Sequence, residues 1–294
     1  APISAKTTSS AWKTSTAADA AAVSGPAMDL QLDGKLALVT GSSRGTGEAI
    51  ARGLAAEGAV VVVHGPTAAD AEPVAAAIRA AGGRAHVAAG DLATDAGAAG
   101  VAAAALAPAG AVDILVNNYG TAARGSWLET ESAEWLAIYE QNALSAARLV
   151  RALVPGMKAR GWGRIVQIGT TGSTRPGAVM PHYYASKGAL ATMTVSLAQE
   201  LAGTGITVNI VSPGLIRTRE VEATYRRRAA REGWGEDWRA IEARIAREVM
   251  PNLVGRIART EEIADLVAFI ASPRAAYITG CNIRIDGGAV PIVG

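Results

Sequence analysis

One cysteine, Cys281, in a chain of 294 residues excludes an intrachain disulfide. A reducing compartment, the cytoplasm, is the expected home. No histidine or lysine that could serve as its base lies near Cys281 in sequence, so it reads as a small packed residue rather than a nucleophile. Aromatic residues make up only 4% of the chain, with a single phenylalanine, so Ala, Val, Leu and Ile must fill the core. Charge of one sign is also missing: 28 Lys and Arg against 26 Asp and Glu give a net of +2, with no basic face for nucleic acid. The longest uncharged run, residues 96–112, is rich in Ala and Gly and contains Pro108, which argues against a membrane span. The first residues, "APISAKTTSSAWKTSTAADAAAVSGPAM", lack the continuous apolar stretch of a signal peptide. A transit-peptide reading has no arginine to support it, and residues 1–30 read as a flexible or loosely docked arm.

What is present is apolar residue, half of the chain, arranged in a regular alternation. Strand patterns at 35–41, 59–65, 84–91, 112–120, 163–169, 206–214 and 282–288 alternate with helix patterns at 47–58, 71–83, 96–110, 131–160, 183–202 and 260–271. This rhythm predicts an α/β fold with a parallel sheet and helices on both faces. No internal repeat or interdomain linker interrupts residues 31–294, which read as one domain. The segment 217–252 breaks the rhythm with about two extra helices and reads as an insertion on the ligand side.

The first strand-to-helix turn is "TGSSRGTG", 40–47. Gly41, Gly45 and Gly47 allow tight turning and close approach to a pyrophosphate, with Ser43, Arg44 and Thr46 beside them. The helix N-terminus offers unpaired N–H groups and a positive dipole end. The G-x-x-x-G-x-G spacing differs from the commoner G-x-G-x-x-G. The second strand ends in "VVHGPT", with no acid before Asp70 to bind a ribose hydroxyl and repel a 2′-phosphate. Arg44, His64 and Thr67 are candidates for a phosphate pocket, which favours NADP(H) over NAD(H).

In "PHYYASKGAL", 181–190, two tyrosines precede Lys187 at three and four residues. Either spacing puts phenol and ammonium on one helical face, so local geometry does not choose between Tyr183 and Tyr184.

With "TGSSRGTG", "NNYG" (117–120), "YYASK" (183–187) and "SPGLIRT" (212–218) in this order, residues 32–290 resemble the short-chain dehydrogenase/reductase family. The resemblance implies a single-domain, Rossmann-type, doubly wound sheet, a nicotinamide cofactor and a homodimer or homotetramer. It implies a small-molecule carbonyl or alcohol substrate, without nucleic acid or membrane. The family pattern Tyr-x-x-x-Lys assigns Tyr183 as acid/base and leaves Tyr184 as a packing neighbour. An ammonium near the phenol is expected to lower its pKa, and Lys187 also binds the nicotinamide ribose in the family. Thirteen residues before Tyr183, where the family has serine, stands Thr170, with Thr171 and Ser173 as other candidates. Asn142 matches the helix asparagine of the proton relay. Asn117 and Gly120 keep the family turn, with Asn118 between strand and cofactor, while Tyr119 replaces the usual alanine. It either narrows the site or turns outward. Asp91 matches the adenine contact, with Leu92 next to it. Pro213, Gly214, Ile216 and Thr218 match the carboxamide side.

Residues 217–247 carry nine arginines against six acids and are expected to cover the substrate. A basic cover suits an anionic substrate, but Arg and Glu at three- and four-residue spacing suit an ion-paired, solvated helix better. Trp234 and Trp238 either cap an apolar pocket or anchor this segment. His182 reads as an exposed loop residue. The leading expectation is an NADP(H)-dependent carbonyl reductase or alcohol dehydrogenase. The alternatives are a cofactor-binding sensor and a non-redox enzyme, an epimerase or lyase, on the same fold.

Overall fold

The computed structural model describes residues 28–292, so most of the expected arm lies outside the described residues. Seven strands form one sheet: β1 (Leu36–Val39), β2 (Val60–Gly65), β3 (Arg84–Ala89), β4 (Ile114–Asn117), β5 (Gly163–Ile168), β6 (Ile206–Pro213) and β7 (Asn282–Ile285). Their order is β3-β2-β1-β4-β5-β6-β7, and every pairing is parallel. The fold is therefore the expected Rossmann-type doubly wound sheet, and the strand order reverses between β1 and β4, where such sheets open a crevice.

Helices cover both faces. They are α1 (Gly45–Ala56), α2 (Ala68–Ala80), α3 (Asp95–Leu106), α4 (Ser132–Tyr139), α5 (Ser145–Arg160), α6 (Pro181–Glu200), α7 (Arg219–Glu232), α8 (Trp238–Arg244) and α9 (Thr260–Ala271). Successive strand residues serve opposite faces, as the pleat requires. Ala37 and Val39 of β1 join Val61 and Val63 in a core under α1, α2 and α9. Leu36 and Leu38 join Val62 and Leu115 in a second core under α3 and α5. Strands buried on both sides explain the continuous β-branched run "VVVV".

The pattern at 131–160 is not one uniform helix. Between α4 and α5 lies a π-helical turn, Glu140–Leu144, which contains Asn142. Segment 217–252 contains α7, α8 and a second π-helical turn, Ile245–Val249. It has its own small core, in which Ala229, Trp238, Ile241, Ile245 and Ile257 meet Trp234 and Tyr225. Arg217 and Arg226 lie over the Trp238 ring, and Arg228 and Arg244 over Trp234. Both tryptophans are anchors. Most of the arginines are ion-paired, as in Arg217–Glu222–Arg226 and Arg228–Glu232. This is the solvated-helix arrangement rather than an open basic face.

Candidate active site

A cleft of about 200 Å³ opens at the C-terminal ends of β1, β4, β5 and β6. Thr46, Asn118, Gly120, Thr170, Tyr183, Lys187, Pro213, Gly214 and Ile216 line it, so residues far apart in sequence converge there.

The glycine loop borders it through Thr46. Gly41 and Gly45 adopt left-handed backbone, φ 60° and 58°. Gly47 cannot carry a side chain, since a Cβ would fall 2.2 Å from the Gly41 carbonyl oxygen. The Asn118 amide fastens the loop to the end of β4, donating to the Thr40 and Gly41 carbonyls at 3.0 and 2.9 Å. Arg44 is the N-cap of α1, and no side chain caps that helix. The N–H groups of its first turn are thus open to an anion, which fits a dinucleotide pyrophosphate. Thr218 packs against this loop, its methyl 3.7 Å from where a Gly45 Cβ would stand, and its hydroxyl caps α7 by accepting from Val221 N–H.

The expected phosphate pocket is only partly assembled. Arg44 is exposed and faces Glu220 of α7 at 3.9 Å. His64 departs from its expected role. Its side chain is fully buried, its Nδ1 accepts from Gly41 N–H at 2.9 Å, and its Nε2 meets the Gly90 carbonyl at 3.0 Å. Burial lowers its pKa, so the ring is a neutral pin between the glycine loop and β3 rather than a phosphate ligand. Thr67 caps α2 in a box with Asp70, whose carboxylate folds back onto the Thr67 N–H and hydroxyl. The T-x-x-D spacing at 67–70 carried that signal. Leu92 is buried in the core, so only its backbone is available to a ligand.

Tyr183 and Lys187 project from the first turns of α6. The chain enters this helix through Met180, a non-glycine residue in left-handed backbone (φ 67°), whose N–H donates to the Gly125 carbonyl at 2.9 Å. His182 is not an exposed loop residue: it is fully buried in the first turn, its ring 5.9 Å from that of Trp135. Lys187 is 5% exposed and donates to the Ile168 carbonyl at 2.8 Å. Burial pushes its pKa down to about 8. Burial also raises the Tyr183 phenol, and the neighbouring Thr170 hydroxyl offsets this in part. The Lys187 ammonium is thus held by β5, and Thr170 is the group that acts on the phenol here. Thr171 and Ser173 are committed elsewhere, donating to the carbonyls of Pro213 and Thr170. Tyr184 turns its ring onto Gly172, beside Thr170.

Asn142 reaches inward from the π-helical turn, as such turns often do at functional sites. Its Oδ1 accepts from Thr121 N–H at 2.8 Å, and its Nδ2 donates to the Thr121 carbonyl and the Ser186 hydroxyl, both at 3.0 Å. It fastens the chain after β4 to α6. Ser186 was missed in the sequence, although it stands inside the Tyr-x-x-x-Lys stretch. Tyr119 turns away from Tyr183 and donates to Asp91 Oδ1 at 3.0 Å.

A family model described as short chain dehydrogenase matches residues 35–229. The chain is 36% identical over 260 residues to the 3-oxoacyl-(acyl-carrier-protein) reductase FabG of Escherichia coli, covering 88% of this chain and 98% of that one. It is 35% identical over 266 residues to an uncharacterised oxidoreductase of Bacillus subtilis, covering 90% and 98%. Among solved structures, L-sorbose reductase of Gluconobacter frateurii, complexed with NADPH and L-sorbose, superposes with a TM-score of 0.85 at 35% identity, covering 90% of this chain and all of that one.

Proposed function

The chain belongs to the short-chain dehydrogenase/reductase family of oxidoreductases, and from that premise we propose that it is an NADP(H)-dependent enzyme interconverting a carbonyl compound and a secondary alcohol, with Tyr183 as general acid/base. The observation that carries this reading is the convergence of Thr170, Tyr183 and buried Lys187 in one cleft, beside the uncapped start of α1.

The nicotinamide supplies the hydride when bound. Residues of the glycine loop and the α1 N-terminus would hold its phosphates, Arg44 the 2′-phosphate, and Pro213, Gly214, Ile216 and Thr218 the nicotinamide side. In the reduction direction the substrate oxygen sits against Tyr183 and Thr170. Burial keeps the phenol protonated, so Tyr183 delivers its proton to that oxygen as negative charge develops on it. The Thr170 hydroxyl donates to the same oxygen and holds it in line. Lys187, with a pKa of about 8, is poised to return the proton to Tyr183 near neutral pH. Asn142 keeps the 120–121 wall of the cleft in place. Segment 217–252 acts as the substrate lid.

NADP(H) rather than NAD(H) is supported by exposed Arg44 at the loop and by the NADPH-complexed sorbose reductase. The test is consumption of NADPH, with NADH alongside, against ketoses, sugar acids, 3-oxoacyl thioesters and simple ketones. Tyr183→Phe is expected to lower turnover at least about a hundredfold, and Tyr184→Phe to leave it within severalfold. Equal loss in both variants would overturn the assignment of Tyr183.

A further inference from the structure

Thr170 stands in extended backbone where β5 ends, and it caps one short 3-10 turn, Thr171–Ser173. Its hydroxyl accepts from Gly172 N–H at 3.2 Å, which uses one lone pair and leaves the proton free to donate. Its carbonyl accepts from the Ser173 N–H at 3.1 Å and the Ser173 hydroxyl at 2.7 Å. The Thr171 hydroxyl ties the turn to β6, donating to the Pro213 carbonyl at 3.2 Å. From α6 the turn meets an aromatic ring. A Cβ on Gly172 would overlap Cε1 and Cδ1 of Tyr184. The other ring edge faces Gly177, with Cε2 3.8 Å from where a Cβ of that residue would stand. Gly172 is not in left-handed backbone, so what glycine supplies there is space, and the ring fills it.

The same ring meets the ring of Tyr183, 5.5 Å between centroids and 54° between planes. The Tyr184 N–H donates to the Met180 carbonyl at 3.2 Å, so the first turn of α6 carries both tyrosines. One side chain thus touches the residue whose N–H holds the Thr170 hydroxyl and also the phenol ring of Tyr183. Among the described residues the Tyr184 hydroxyl has no partner, so the ring alone makes these contacts.

We propose that Tyr184 is a positioning residue: its ring, set between Gly172 and Tyr183, is the spacer that keeps the Thr170 hydroxyl and the Tyr183 phenol aimed at one substrate oxygen. This inference rests on the roles given to Thr170 and Tyr183 above. A ring that only adds packing would lower stability and would act independently of Thr170. A spacer acts through Thr170, so its loss should matter little once that hydroxyl is gone.

The experiment measures kcat with NADPH and whichever compound of the panel above the wild type reduces fastest, with NADPH affinity followed by fluorescence titration. Tyr184→Ala is expected to lower kcat about tenfold, as the Thr170 hydroxyl loses its aim, and to leave NADPH affinity within about twofold. Tyr184→Phe keeps the ring and should restore most of the turnover. In a Thr170→Val chain, Tyr184→Ala should cost less than about twofold more. Gly172→Val forces a side chain against the ring and should lower kcat by itself. Combined with Tyr184→Ala, which empties that space, it should recover activity rather than lose more. This arm keeps the test open if Tyr184→Ala alone fails to fold. Equal losses from Tyr184→Ala with and without the Thr170 hydroxyl, a Phe variant as poor as the Ala variant, or a double variant worse than Gly172→Val overturns the proposal. A wild type that reduces no compound of the panel would instead overturn the reductase reading, and this inference with it.

Discussion

Lys187→Met should make the protein more stable at neutral pH while it removes the activity. Lys187 is 5% exposed, and burial holds its pKa near 8 against 10.5 in the open chain. Between those values the unfolded chain binds the proton more readily than the folded one. Stability therefore rises as pH increases through that window, and the charged lysine weighs most against folding below pH 8. The difference corresponds to about 3 kcal/mol at pH 7. Methionine fills the same channel without charge but leaves the Ile168 carbonyl without its donor, a loss of about 1–2 kcal/mol. The variant is thus expected to gain about 1–2 kcal/mol at pH 7, and that advantage should shrink by about 2 kcal/mol by pH 9.5. Urea unfolding of both chains at the two pH values, followed by tryptophan fluorescence, reads the effect. The pH-dependent part is decisive, because the lost hydrogen bond enters equally at both pH values. A stability difference that does not change between pH 7 and 9.5, or that grows in favour of methionine, would refute the argument that burial lowers the lysine.

Thr170→Val removes the hydroxyl that lines the cleft with Tyr183 while keeping the shape. It should lower kcat about a hundredfold and move the apparent pKa of Tyr183 upward in the pH–rate profile, whereas Thr170→Ser should restore both. Gly172→Ala would place a Cβ 2.1 Å from the Tyr184 ring; a cost of about 1–3 kcal/mol in urea unfolding is expected, together with reduced turnover as the Thr170 turn shifts. Arg44→Ala should raise KM for NADPH about tenfold with little change for NADH, and equal effects on the two cofactors would remove Arg44 from the 2′-phosphate site.

The strand–helix order was legible because the central strands β1, β2, β4, β5 and β6 carry runs of residues buried on both faces, and helices such as α1 and α9 a periodic apolar stripe. The helix at 260–271 matches at both ends. The π-helical turn was not legible. One extra residue per turn shifts the phase of side chains by about a quarter turn without altering composition, so the run through 131–160 reads as continuous. That shift is what turns Asn142 toward Thr121 and Ser186. His64 and Tyr119 were misread or left open for a different reason. Their partners, Gly41, Gly90 and Asp91, lie 23 to 28 residues away, and no local pattern encodes which side chain crosses the strand ends.

The same limit applies at the centre of the site. Four-residue spacing puts Tyr183 and Lys187 on one face of α6, and with the family resemblance a phenol acidified by its ammonium was the expectation. The face is shared, but side-chain direction is decided by what each group finds across the cleft. Lys187 finds the Ile168 carbonyl at the end of β5, and Tyr183 finds Thr170 on the turn just beyond it. Both partners come from one strand and its exit, so β5 sets the proton state of the pair: burial under the sheet end raises the phenol, and the Thr170 hydroxyl lowers it. The threonine that departs from the family serine therefore sits where it bears most directly on the acid/base. Its added methyl narrows its χ1 choices, which favours holding the hydroxyl in the cleft, where it accepts from Gly172 N–H and keeps its proton free to donate.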